Sequence, residues 1–335
     1  MSSQARHECG RAWTVCWGAA LLILPWLFLA PLRAGEMTLD YQLEPRQIAP
    51  GVWIFEGSDG DFDRSNGGNI LNTGFIETDA GAVVIDPGPT QLYGTQMRAA
   101  IERVTDKGIA RVYITHRHPD HVVGAQAFSD SPVYALPHTR NALEIDGEAL
   151  LDGLFRLLGD WMRDSQAVHP DHEAVPGPER IGDRALRFIA WGGHSGQVAS
   201  DLAILDEQTG VLFAGDLVFN GRAPTTPHAD LDAWRKALDA ILAMRPQMIV
   251  PGHGSAPTTM QAVEETREWL QWLETHLRDA AQRGVSIGEA LTLPIDERFS
   301  DWSLARHEYV RSVNHLYPEY RDAVLHWNTE RAPAP

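Results

Sequence analysis

ARVYITHRHPDH, residues 110–121, joins a short apolar run to a dense group of imidazoles. The run Val112 to Ile114 reads as a buried strand, and the polar residues follow at its C-terminal end. A turn there points alternate side chains at one spot. His116 and His118 can then share a metal ion, and Asp120 and His121 are left to reach a second. A single histidine at a strand end is more often a hydrogen-bonded core or surface residue. His138, His169, His172, His276, His307, His315 and His326 are read that way, and His228 is left open. Three imidazoles and a carboxylate between His116 and His121 would make a poor loop without a metal.

Working outward, further short strands carry similar endings. RFIAWGGH closes on His194, VLFAGD on Asp216 and MIVPGH on His253, each after a glycine that lets the backbone turn sharply. Five histidines and two carboxylates suffice for two ions with one shared bridging position, and nitrogen and oxygen donors suit zinc. Two ions about 3.5–4 Å apart can hold a hydroxide between them and polarise a carbonyl under attack. Asp86, ending AVVID, is read either as a partner for the second nitrogen of a ligand histidine or as a plain turn residue.

The rest of the chain supplies the frame. GVWIFEG and NILNTGFIETDAG read as antiparallel strands, Thr90 to Gly108 as a helix, and PVYALP as another strand. Thr139 to about His172 reads as helical, the stretch around Gln208-Thr209-Gly210 as a hairpin, and Leu231 to Met244 as a helix. Beyond Pro257 the pattern is almost wholly helical. Two groups of strands, each interspersed with helices, fit two sheets packed face to face with helices outside both. A doubly wound nucleotide fold is excluded by the lack of a glycine-rich strand-to-helix turn.

At 335 residues, 44% apolar and 22% charged, the chain can bury a large core without staples, so a metal site would be functional. Arg6 and Arg11 precede an apolar run from Ala12 to Ala30, and a small-residue exit follows at Ala34. This reads as a signal peptide over 1–34, with an uncleaved membrane anchor as the competing reading. Both cysteines, Cys9 and Cys16, lie in that leader, so no metal ligand is sulfur. The formal charge of −17 repels phosphate backbones, and the absence of a basic cluster argues against a nucleic-acid partner.

THRHPDH, GGH, AGD and PGHG, in that order and after strands, resemble the metallo-β-lactamase fold superfamily from about Gln47 to Ser255. The resemblance implies an α/β fold, an αβ/βα four-layer sandwich over 47–257, with 258–335 as a C-terminal helical extension packed on it. It also implies that His116, His118 and His194 hold one zinc, that Asp120, His121 and His253 hold another, and that Asp216 bridges. Iron or manganese is left open. A bridging Asp is similar to the sites of thioesterases, lactonases and phosphodiesterases in the superfamily. The segments DFDRSNGGNILNTGFI and GDLVFNGRAPTTPHADL, with the leader, resemble quinoprotein relay system metallohydrolases. One departure is SGQVASDL after His194, where many relatives have a shorter Pro-Gly turn.

The expectation is therefore an exported dinuclear zinc hydrolase using a metal-bridging hydroxide oriented by Asp120. Its substrate would be a small ester, lactone or thioester, beside PQQ-dependent alcohol oxidation in the periplasm. Asn220, Arg222, Thr225, Thr226 and His228, in the loop after Asp216, are the candidate substrate contacts. The alternatives are β-lactam hydrolysis, and a non-enzymatic metal-binding partner of a quinoprotein dehydrogenase.

Overall fold

The computed structural model describes residues 39–331, with side chains to Leu325. The signal-peptide reading, both cysteines and the His326 side chain lie outside the described residues. No helix among the described residues is long and apolar enough to cross a membrane.

One sheet holds seven strands in chain order: β1 (Arg46–Ala49), β2 (Val52–Phe55), β3 (Thr73–Thr78), β4 (Gly81–Ile85), β5 (Ile109–Tyr113), β6 (Val133–Ala135) and β7 (His172–Glu173). Its first four strands form an antiparallel meander, whereas β4 to β7 run parallel. Helix α1 (Gln91–Glu102) crosses between β4 and β5, as a parallel connection requires. Short α2 (Pro119–Val122) follows β5, and long α3 (Pro137–Leu158) follows β6.

The second sheet has the order β12-β11-β10-β9-β8, from β8 (Gly177–Ile181), β9 (Arg184–Trp191), β10 (Asp201–Asp206), β11 (Val211–Asn220) and β12 (Met248–Gly254). Helix α4 (Leu231–Met244) joins β11 to its parallel neighbour β12. Asp230 caps it by accepting from the Ala233 amide, and Leu231, Trp234, Leu238 and Ile241 form its buried stripe. The chain ends in α5 (Met260–Gln282), α6 (Ile287–Ala290) and α7 (Ala305–Arg331).

Three cores make the layers. Ile54, Val83 and Ile85 meet Phe188, Ile204 and Phe213 between the sheets. Val84 and Val112, on the other face of the first sheet, pack against Tyr93, Met97 and Ile101 of α1. Leu212 and Ile249, on the outer face of the second, pack against Trp234 of α4, Trp269 of α5 and Tyr309 of α7. The four-layer αβ/βα arrangement expected from the sequence is present, and the C-terminal helices complete one outer layer.

Strand direction positions the site. Because β9 and β11 are each antiparallel to β10, and β12 is parallel to β11, the C-terminal ends of all three lie at one edge. The parallel pair β4 and β5 brings its own ends together as well.

The structure differs from the sequence reading in three places. Strands β1, β7 and β8 were not anticipated, since they are short and mostly exposed. The central helix stops at Leu158 rather than near His172, because Gly159 turns at positive φ and Asp164 does so again. Asp216 and His253 do not end their strands. Each lies inside one, at a break in the β11–β12 register between Gly215 and Phe219 that swings the carboxylate to the edge.

Candidate metal centre

Seven side chains converge at this edge in two groups, His116, His118, His194 and Asp216, and Asp120, His121 and His253. Within each group the potential ligand atoms lie within 4.8 Å of one another. His118 Nδ1 is 3.0 Å from His116 Nε2 and 2.9 Å from His194 Nε2. One ring nitrogen carries at most one N–H, so His118 Nδ1 cannot donate to both neighbours at once. A cation among the three would face all of them.

Asp216 joins the groups. Its Oδ2 is 3.1 Å from His194 Nε2 and 3.2 Å from His253 Nε2, while Oδ1 is 3.2 Å from His121 Nε2. His121 Nε2 and Asp216 Oδ1 are both buried without hydrogen-bond geometry to each other or to any other group. Buried polar atoms are rarely left so, and two orphans facing one point are what a shared ion would satisfy. Asp120 Oδ2 stands 3.5 Å from His121 Nε2 and 3.4 Å from His253 Nε2. The donor set is therefore imidazole and carboxylate only, it converges, and it fits one metal ion per group.

The outer nitrogens are held so that the inner ones stay free. Asp86 Oδ2 accepts from His121 Nδ1 at 2.8 Å and also from the Thr115 hydroxyl at 2.8 Å. Thr115 Oγ1, having given its proton to Asp86, accepts from His116 Nδ1 at 3.0 Å. The Ile70 carbonyl takes the His253 Nδ1 proton at 2.6 Å. These contacts fix the tautomers that leave Nε2 bare toward the centre. Of the two roles read for Asp86, the contact to a histidine is the one seen. Thr115 and Ile70 were not foreseen, since one works through a hydroxyl beside the motif and the other through its backbone.

Burial and neighbouring charges both shift basicity here. It lowers the basicity of His116 and His118 well below the imidazole norm, and neighbouring imidazoles add to this. Burial works the same way on His121, but Asp216, Asp86 and Asp120 outweigh it and hold its basicity well above normal. Asp216 is itself kept well below the carboxylate norm, because His253, His121, His116 and His194 outweigh its burial.

Glycines give the room. A Cβ at Gly252 would lie 1.9 Å from Asp216 Oδ1, and Gly193, with φ of +158°, turns the chain just ahead of His194. The departing stretch SGQVASDL wraps round Asp201, which accepts from the Ser195 amide and from the Ser195 and Ser200 hydroxyls.

A cavity of about 410 Å³ opens over His118, Asp120, Asp216 and His253. Arg222, Thr225 and His228, three of the candidate substrate contacts, line it. Asn220 and Thr226 are not among its lining residues. Asn220 spends its amide on the Ser255 carbonyl at 2.7 Å, and Thr226 bonds Ser312 of α7 at 2.8 Å. His228 Nδ1 lies 3.3 Å from His118 Nε2. The far walls were not anticipated: Leu150, Leu154 and Leu157 of α3, and His307 and Arg311 of α7. His307 pairs with Asp61 at 3.1 Å, and His169 and His172 pair with Glu144 and Asp171 at the surface.

Comparison with known proteins agrees with this fold. A metallo-β-lactamase from Pontibacter korlensis superposes with a TM-score of 0.56 at 22% identity, over 69% of this chain and 99% of that one. Another from Hirschia baltica gives 0.53 at 20%, over 68% and 97%. In sequence, an uncharacterized protein of Mycobacterium tuberculosis is 28% identical over 57% of this chain and 88% of its own. The beta-lactamase-like protein 2 homolog of Caenorhabditis elegans is 25% identical over 60% of each chain. The model of the metallo-beta-lactamase superfamily matches residues 66–253, which span every member of the cluster. The chain belongs to the metallo-beta-lactamase superfamily.

Proposed function

We propose that this chain is a dinuclear zinc hydrolase of an ester, lactone or thioester. The observation that carries the reading is Asp216, whose two oxygens face the two imidazole groups at 3.1–3.2 Å. Zinc ions held by His116, His118 and His194, by Asp120, His121 and His253, and jointly by Asp216 would make a water acidic enough to attack and would polarise the carbonyl.

The chain's own residues do the rest. Asp120 turns one oxygen toward His121 and His253, which leaves the other for the proton of the attacking water. That water's oxygen bonds to the acyl carbon while the carbon–oxygen or carbon–sulfur bond breaks, and the proton passes to the departing alcohol or thiol. Asp86 and Thr115 keep His121 and His116 in register throughout. No serine or cysteine nucleophile is required.

A carboxylate at 216, with no sulfur donor among the described residues, favours this reading over β-lactam cleavage. An intact convergent cluster opening on a cavity favours it over a purely structural metal site. Export through the 1–34 leader, and work beside a quinoprotein alcohol dehydrogenase, complete the proposal on the strength of the leader and loop sequences.

The test is a panel of lactones, thioesters, simple esters, β-lactams and phosphodiesters given to metal-quantified protein. Turnover of the first three with weak β-lactam cleavage is expected. Efficient β-lactam turnover alone would reverse the order.

A further inference from the structure

Arg222 is only 2% exposed, and its Nε and Nη1 are buried without any hydrogen-bond partner. No carboxylate among the described residues lies within ion-pair distance of its guanidinium, whose central carbon stands 6.0 Å from the centre of the Phe219 ring. Phe219 in turn stacks on the ring of His253, with centroids 5.3 Å apart. A buried cation without a partner costs several kcal/mol, so folds rarely keep one unless something else pairs with it. This one borders the cavity over the metal centre.

A second orphan borders the same space. Thr225 Oγ1 is buried without a partner and lines the cavity as well. Across the opening, α7 adds Arg311, whose charge is already engaged by Glu308 at 3.1 Å. Of the two arginines that line the cavity, Arg222 is the one without an ion-pair partner among the described residues. The opposite wall is apolar, formed by Leu150, Leu154 and Leu157 of α3 with Phe62. Helix α7 lies beyond the residues matched by the superfamily model, which end at 253, so part of this wall stands outside the matched region.

We propose that the cavity selects acyl substrates with an apolar body ending in a compact oxyanion, which Arg222 binds through its fork of N–H donors with Thr225 assisting. The inference rests on the hydrolase reading above. A guanidinium accepts carboxylate, sulfonate and phosphate alike, so the shared feature is a planar or tetrahedral oxyanion. The body of the substrate lies along α3 while its acyl carbon faces Asp120 and Asp216.

The experiment uses zinc-loaded full chain and matched para-nitrophenyl esters. One is the half-ester of adipate, the second its methyl ester, and the others replace the free carboxylate by sulfonate or phosphate. Wild type should favour an anionic ester over the methyl ester by about 10- to 100-fold in kcat/KM, carried mainly by KM. The order among the three anions identifies which oxyanion the site takes. In Arg222→Met the preference should collapse toward unity, and Arg222→Lys should fall between. A wild-type ratio near one, or a preference unchanged in Arg222→Met, overturns the inference. If the variants do not fold, the wild-type ratio decides alone. If no ester is hydrolysed, the hydrolase reading fails separately. Calorimetry with monomethyl against dimethyl adipate, on wild type and Arg222→Met, then reads the anion site. Binding of the monoanion that is lost in the variant supports it, and no difference overturns it.

Discussion

On the floor of the cavity Asp216 faces four imidazole nitrogens within 3.6 Å, whereas on its wall Arg222 has no carboxylate at ion-pair distance among the described residues. Both side chains are buried, and the β11 strand and its following loop carry both. The floor is crowded with donors that need a cation among them. The wall holds a cation that needs an anion. A site of this kind is finished by two different guests, and each leaves its own unsatisfied atoms behind: His121 Nε2 and Asp216 Oδ1 on the floor, Arg222 Nε and Nη1 on the wall.

The sharpest way to break this contrast is Asp216→Ala. Losing the shared carboxylate should cost at least about a thousandfold in kcat/KM, as removal of a group acting with the whole site does. Bound metal should fall with it. Steady-state kinetics beside elemental analysis checks both, and near-normal turnover with a full metal complement would dissolve the floor as described.

The floor was legible in the sequence because its parts are local. THRHPDH sits on one strand end, and GGH, AGD and PGHG each announce themselves by a glycine beside a donor. The two-sheet frame was legible through strands with continuous apolar runs such as AVVI and VLFA. What the sequence concealed is assembled from afar. Arg311 is one charge among many on a 27-residue helix, and nothing in its neighbourhood says that α7 returns to the cavity. Ile70 contributes a carbonyl, which any residue has. Asn220 misled because its place in the loop predicts a cavity contact, whereas its amide is tied to Ser255. The loop residue His228, by contrast, reaches the cavity with a φ of +76° that its sequence does not advertise.

A finer probe of the floor is Asp86→Ala. It touches no candidate ion directly but frees His121 Nδ1 and the Thr115 hydroxyl together. Metal affinity or activity should drop about 10- to 100-fold, the usual effect of removing an outer partner of a ligand histidine. Competition with a chelator measures it. An unchanged affinity would mean that packing alone orients His121.

The wall should respond less. Thr226→Val breaks the buried bond from the loop that carries Arg222 to Ser312 of α7, at a cost of about 1 kcal/mol of stability. Urea denaturation reads the loss, and metal content should not change. A loss of metal would show that wall and floor are one unit rather than two.

Smallest of all is the surface pair Arg98–Asp130, neither of which lines the cavity, at 2.6 Å. The Arg98 guanidinium holds the Asp130 carboxyl down to about 2 from its ordinary 3.8. The folded state therefore binds this proton less readily than the unfolded chain. The stabilisation is present above the ordinary value and is lost as pH falls through about 2. Since Asp130 is 60% exposed, Asp130→Asn should cost less than about 1 kcal/mol near neutrality, with no difference by the acid end. Denaturation midpoints across that range check the sign.

The central claim is the shared, dinuclear floor, and metal stoichiometry meets it most directly. Full chain purified with zinc, freed of loose metal and weighed by native mass spectrometry should carry two ions and lose activity as they are stripped. Hydrolysis that persists with metal near zero would contradict the account.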